Sequence, residues 1–182
     1  GIASKNYLVQ NLNIPETKVF NRGSYSHLQI VSQNLPDFKK REYTLLYVGR
    51  FSEEKNLFFL IDAFTEFKIK YPNFFKLKLI GNGVLKEEIK KYIIEKNMQE
   101  YIIIENHLSA DKLIQEYRNA RIFILPSLSE PWGLVINEAM HFGLPIIISR
   151  DCGCVEDLCK TTNSFVFNPT NKEELVDIFN HL

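Results

Sequence analysis

The stretch TLLYVGRFSEEKNLFFLIDAFTEFKIKY, residues 44–71, decides the architecture. Residues 44–48 form a short β-rich run that Gly49 closes. Beyond a polar turn, Leu57, Leu60, Ile61, Phe64 and Phe67 recur at helical spacing and give one apolar face. Pro72 and Asn73 end that helix.

The same alternation continues towards the C-terminus. A strand over 76–81, again closed by glycine, precedes a helix over 85–97 with Leu85, Ile89, Tyr92 and Ile93 turned inward. A strand expected to be buried spans 101–106. Ser109 is expected to cap a helix carrying Leu113, Ile114 and Tyr117. Strands over 121–126, 145–149 and 164–168 alternate with helices from near Gly133, over about 153–160 and from Asn171. Strands alternating with helices imply β-α-β units and a parallel sheet, and wholly apolar strands imply helices on both faces. The expected fold is therefore α/β: a doubly wound, Rossmann-like parallel sheet of about six strands. Upstream, 5–12 reads as helix, 18–23 fits an edge strand, and 37–42 is a charged connector.

Composition narrows the function. The chain has 182 residues, 45% of them hydrophobic, and a formal net charge of zero. A neutral chain gives no general attraction for nucleic acid. No apolar run approaches the ~20 residues of a membrane-spanning helix, and no leader pattern is visible. The first residues are Gly1-Ile2-Ala3, which reads as an excised piece of a longer chain. Cys152, Cys154 and Cys159 fit neither a disulfide framework nor zinc-ligand spacing, and are expected to be reduced thiols in a cytoplasmic protein.

Parallel strands place all their outgoing turns along one edge of the sheet, where ligands bind. Those turns carry Gly49, Arg50 and Lys55; Gly81-Asn82-Gly83; 105–109; 126–133; and 149–154. Two cations and two carboxylates thus share one rim. The carboxylates belong to SEPWGLVINEAMHFGLP, residues 129–145. Glu130 precedes the helix and Glu138 lies on it, within a polar stripe of Asn137, Glu138 and His141. Leu134, Val135, Ile136, Ala139, Met140 and Phe142 predict that the rest of this helix is buried. Its first-turn N–H groups make an anion site. Carboxylates beside a phosphate would repel it, but they accept hydrogen bonds from neutral hydroxyls. Hydroxyls on both sides of a phosphate describe a nucleotide sugar. Arg50 and Lys55 would neutralise its diphosphate and the charge that grows there as it leaves.

At these residues the chain resembles the retaining glycosyltransferases of the glycosyltransferase group 1 (family 4) type, which have the GT-B fold of two Rossmann-like domains. The resemblance runs through YVGRFSEEKNLFFLIDAF, LIGNG, ILPSLSEPWGLVINEAMHFGLPIIIS and the Gly153/Glu156 segment, with Glu130 and Glu138 as the paired glutamates. It implies that 44–182 is the C-terminal, nucleotide-sugar (donor) binding domain. Residues 1–43 would be the junction from an N-terminal acceptor domain. It also implies a diphosphate pair in Arg50 and Lys55, with Gly49 in their turn. Glu138 would hold ribose hydroxyls and Glu130 would lie beside the donor sugar. Pro131, Trp132 and Gly133 would offer backbone to sugar hydroxyls, and Leu134 and Val135 their N–H groups to phosphate. The base would lie near Gly83 and the Asn106, His107 and Leu108 turn.

Sugar transfer, from UDP-sugars among others and as in polysaccharide biosynthesis, would proceed with retention and without a tightly bound metal or other cofactor. Any membrane contact would come through the missing half, leaving the whole enzyme cytoplasmic or peripheral. Alone, this chain is expected to bind donor weakly and transfer little. Asn106, Cys154 and Ser164 stand where the family pattern has glycine, and Cys154 is expected on the sugar side.

Plainer roles stay open. Glu130 can favour the helix dipole, Glu138 can be a solvated helix residue, and Arg50 and Lys55 can be surface cations. Ser52 is expected to cap the following helix. Trp132 is read as packing before sugar contact, and His107 and His141 as structural. A sugar-nucleotide epimerase of the same architecture and a non-catalytic nucleotide-binding module remain as alternatives.

Overall fold

A computed structural model of the chain describes residues 35–159 and 164–182, together with 2, 6, 9–12 and 14–18. Six parallel strands form one sheet: β1 (Thr44–Val48), β2 (Lys76–Ile80), β3 (Ile102–Glu105), β4 (Ile122–Leu125), β5 (Ile146–Ser149) and β6 (Ser164–Phe167). Their order is β3-β2-β1-β4-β5-β6, so the chain winds outward from β1 in one direction and from β4 in the other. Within 35–159 and 164–182 the α-helices are α1 (Leu57–Lys70), α2 (Lys86–Glu95), α3 (Ala110–Asn119), α4 (Leu134–His141), α5 (Val155–Leu158) and α6 (Lys172–Asn180). Right-handed crossovers from a sheet wound both ways put helices on both of its faces. On one, α1 packs against α2 and α6. On the other, α3 contacts β1 and α4 contacts β4 and β5.

The apolar pattern explains this layering. All five inward residues of α1 are buried, and Phe64 and Phe67 meet Phe179 of α6 at ring separations of 6.4 Å and 5.7 Å. Across the sheet, Tyr117 of α3 lies parallel to Phe142 at 5.5 Å and tilts against Phe123 of β4 at 5.8 Å. Strands β4 and β5 are buried throughout, as strands covered on both faces must be.

Several expectations need correction. Strand β3 is half-exposed along most of its length, because it is an edge strand and has one neighbour only. Within α4 only Ile136 and Ala139 are fully buried; Leu134, Val135 and Met140 are half-exposed at the ligand edge or flank. Neither serine caps with its side chain: Ser109 makes no cap hydrogen bond, and the Ser52 hydroxyl donates to Glu54 Oε1 at 2.6 Å. The residue before α1 is instead Asn56, in left-handed conformation. Its amide donates to the Pro169 carbonyl at 2.9 Å. Within 5–12, Asn6, Val9 and Gln10 are helical and the remaining helical expectation lies partly outside the described residues. Of the expected strand at 18–23, Lys18 ends a 3₁₀ turn and the rest lies outside them.

Lys68 is a buried cation that the helical pattern does not announce. Its ammonium donates to the carbonyls of Pro72, Phe74 and Phe75 at 2.5, 3.2 and 3.1 Å and sits 4.3 Å from the Tyr101 ring centre. Those bonds satisfy carbonyls in the turn that leads into β2. Burial and the nearby Lys76 lower its pKa.

Phe64 is the aromatic centre of the α1–α6 contact. Phe64→Ala should cost about 3–5 kcal/mol. Urea unfolding should show a lower midpoint with an unchanged slope.

Candidate functional site

The chain reverses its winding between β1 and β4, and the turns leaving these two strands face each other. They are joined twice. The Leu128 N–H donates to the Glu54 carbonyl at 2.8 Å. Lys55 Nζ donates to Glu130 Oε2 at 2.6 Å, in an ion pair whose side chains are 11% and 16% exposed. Lys55 and Glu130, seventy-five positions apart, therefore form one charged unit at the switch point of the sheet.

The turn after β5 holds Glu130 from its other side. Glu130 bridges to Cys152, its N–H donates to the Asp151 carbonyl at 3.3 Å, and its carbonyl accepts from the Gly153 N–H at 2.8 Å. This approach demands glycine, since a Cβ at 153 would lie 2.1 Å from the Pro131 carbonyl oxygen. Next to it, Gly133 stands at φ 89° and opens α4 with no capping side chain. The first-turn amides of Leu134 and Val135 thus meet the ligand edge without a side-chain cap.

Two tyrosines reach the site from the core. The Tyr47 hydroxyl donates to the Arg50 carbonyl at 2.8 Å, and burial with Glu130 and Glu54 nearby raises its pKa. The Tyr117 hydroxyl donates to Glu138 Oε2 at 2.8 Å, and burial with that same carboxylate raises its pKa. Both phenols stay protonated at neutral pH and so remain donors. Trp132 packs against the core and donates from Nε1 to Asn137 Oδ1 at 2.9 Å, and it also lines the site.

Two adjoining depressions occupy this edge. One, of about 470 Å³, is lined by Gly49, Arg50, His107, Leu108, Val135 and Glu138, with Val48, Ile80, Gly81, Asn82 and Leu113. The other, of about 430 Å³, is lined by Gly49, Arg50, Lys55, Glu130, Pro131, Trp132, Gly133, Leu134 and Val135, with Tyr47, Val48 and Leu125. They share Val48, Gly49, Arg50 and Val135. Arg50 and Glu138 thus lie on one border. Of the residues named from sequence, Gly83 and Asn106 line neither depression: Gly83 packs against the Phe51 backbone, and exposed Asn106 accepts a hydrogen bond from Lys86. Cys154 is fully buried and also lines neither, so it bears on the site only through the shape of its turn. Sequence reasoning missed the roles of Tyr47 and Tyr117, whose positions in an apolar strand and helix face announce only core.

Among the described residues, no group of three or more His, Cys, Asp and Glu side chains is placed to hold a metal, and no helix is long and apolar enough to cross a membrane. The chain belongs to the glycosyl transferases group 1 family, whose model matches residues 32–182. It is 32% identical over 171 residues to an alpha-monoglucosyldiacylglycerol synthase of Acholeplasma laidlawii, covering 91% of this chain and 41% of that protein. It is 32% identical over 139 residues to the sulfoquinovosyl transferase SQD2 of Arabidopsis thaliana, covering 72% of this chain and 25% of that one. The chain therefore spans less than half the length of these relatives. Among solved structures, a mutant of S. aureus TarM in complex with Fondaparinux, alpha-GlcNAc-glycerol and UDP superposes with a TM-score of 0.79 at 17% identity, over 100% of this chain and 35% of that one. The apo lipopolysaccharide outer core galactosyltransferase WaaB gives 0.76 at 22% identity, over 95% and 48%. The six-stranded domain thus has the fold of one part of these GT-B glycosyltransferase structures.

A methyl group on Gly49 would lie 2.6 Å from Tyr47 Oη. Gly49→Ala should cost about 1–3 kcal/mol in urea unfolding, and Tyr47→Phe added to it should give a double variant less destabilised than the sum of the two. The cysteines offer a second check. Burial is the main cause raising all three thiols, Cys154 to about 12, and Cys159 is the least enclosed. Because the thiolate is the reactive form, iodoacetamide at pH 8 should label Cys159 first, and Cys152 and Cys154 only as urea unfolds the chain.

Proposed function

We propose that this chain is the donor-binding domain of a retaining glycosyltransferase that moves a sugar from a nucleoside-diphosphate sugar to an acceptor hydroxyl. The observation that carries this reading is the convergence of Arg50, Lys55, Glu130, Glu138 and the uncapped start of α4 on two adjoining depressions. The nucleoside takes the depression walled by Glu138, with its ribose hydroxyls on that carboxylate. The sugar takes the depression walled by Glu130 and Trp132. The diphosphate lies where the two depressions meet, beside Arg50 and the amides of Leu134 and Val135. As the bond from the sugar carbon to the diphosphate oxygen breaks, negative charge grows on the leaving group. Arg50 and Lys55 stabilise that charge without a bound metal. The acceptor hydroxyl gives its proton to the departing phosphate as the new glycosidic bond forms. Residues 44–182 supply the donor half of the cleft. Residues 1–43 lead from an acceptor half, through which any membrane contact would come.

Calorimetric titration with several nucleotide sugars tests this reading. One of them should bind, and Arg50→Ala or Glu138→Ala should weaken it about tenfold or more, as expected for charge-assisted bonds. Glu130→Ala should weaken the nucleotide sugar more than the bare nucleotide. Equal binding of both ligands, unchanged by Glu130→Ala, would instead favour a non-catalytic nucleotide module.

A further inference from the structure

Glu138 is not a carboxylate on a free swivel. Its Oε2 accepts a hydrogen bond from Tyr117 Oη at 2.8 Å, and Tyr117 is itself packed into the core. Its residue is 0% exposed, and its ring lies within 5° of parallel to Phe142 and leans on Phe123. Tyr117 belongs to α3 and Glu138 to α4, so the bond also ties together the two helices beside the switch point. The tyrosine lines neither depression, whereas Glu138 lines one.

We infer that Tyr117 is a positioning residue for ribose recognition, fixing the Glu138 carboxylate in the orientation that accepts the ribose hydroxyls. The inference rests on the proposed reading of Glu138 as the ribose-binding group. A glutamate side chain has three rotatable bonds, and a ligand that must freeze them loses affinity. A phenol anchored in the core freezes them before the ligand arrives. It does so without bringing a charge of its own to the carboxylate. A lysine or arginine in the same place would compete with the ribose for the carboxylate's charge.

The test separates this role from a merely structural one. Titration of UDP, GDP and ADP into the 182-residue chain identifies the nucleotide that binds, and its 2′-deoxy and 3′-deoxy forms then measure ribose recognition. The native chain should prefer the ribose form about tenfold, the value of one charge-assisted hydrogen bond. Tyr117→Phe keeps the ring and its stacking. It should lose most of that preference while the deoxy affinities stay within about twofold. In a Glu138→Ala background, which also removes the buried partner of the hydroxyl, Tyr117→Phe should change neither affinity. A preserved ribose preference in Tyr117→Phe overturns the inference and leaves the proposed function standing. So does an equal loss for ribose and deoxy forms, or an undiminished effect in the Glu138→Ala background. Failure of the native chain to bind any of the five common nucleoside diphosphates or their sugar forms at millimolar concentration overturns the proposed function itself.

Discussion

Strands β1 and β4 are neighbours in space although β2, β3 and three helices separate them in sequence. The rest of the site depends on that adjacency. It sets the Lys55 turn against the Glu130 turn, and the two close on each other through an ion pair and a backbone hydrogen bond. Such a pair adds little to stability: removing both charges from water costs about as much as their attraction returns. A chain selected only to hold these turns together would do as well with two apolar residues. Keeping the charges at the ligand edge instead leaves two groups that can change partners, as the proposed reading requires of a diphosphate site.

The core and the site are continuous. Tyr47 and Tyr117 each bury a ring among apolar side chains and deliver one hydroxyl to the rim, the first to the Arg50 carbonyl and the second to Glu138. The backbone pays the same attention to position: Gly153 must come within touching distance of Pro131, and Gly133 must turn left-handed before α4 can begin. Rigid packing below thus fixes polar geometry above, which is how a scaffold holds a site to within fractions of an ångström. Glu130 is held by β1, β4 and β5 turns together, so a change in any of the three strands would move it.

The sheet was legible in the sequence because each strand is a short apolar run and each long helix carries a clear periodic face. The strand ends could be read to within a residue or two for the same reason. The convergence of Arg50, Lys55, Glu130 and Glu138 followed from parallel topology alone. Pairings within that rim did not. Nothing in the spacing of Lys55 and Glu130 states that they touch, since the contact is set by how far two turns fold over the sheet edge. The periodic face of α1 does not single out Lys68, yet it is buried, with three carbonyls of a following turn converging on its ammonium. Edge effects were invisible as well: β3 has the same isoleucine run as a central strand, and only the order of strands shows that one side lacks a neighbour.

The Arg, Lys, Asp and Glu residues that line the two depressions sum to zero, Arg50 and Lys55 against Glu130 and Glu138, so on the proposed reading attraction for a diphosphate cannot come from net charge. It must come from arrangement. Lys55 is engaged by Glu130, and Glu138 is engaged by a neutral phenol, which leaves Arg50 exposed where the two depressions meet. The start of α4 supplies the remainder. Its dipole places a partial positive charge behind amides that no side chain caps. Glycine at the cap position therefore does more than permit the turn. A serine or aspartate there would turn its own oxygen on those amides and occupy the place that the proposed reading gives to phosphate. The left-handed conformation at Gly133 and the uncapped amides at the start of α4 are consequences of the same choice of residue.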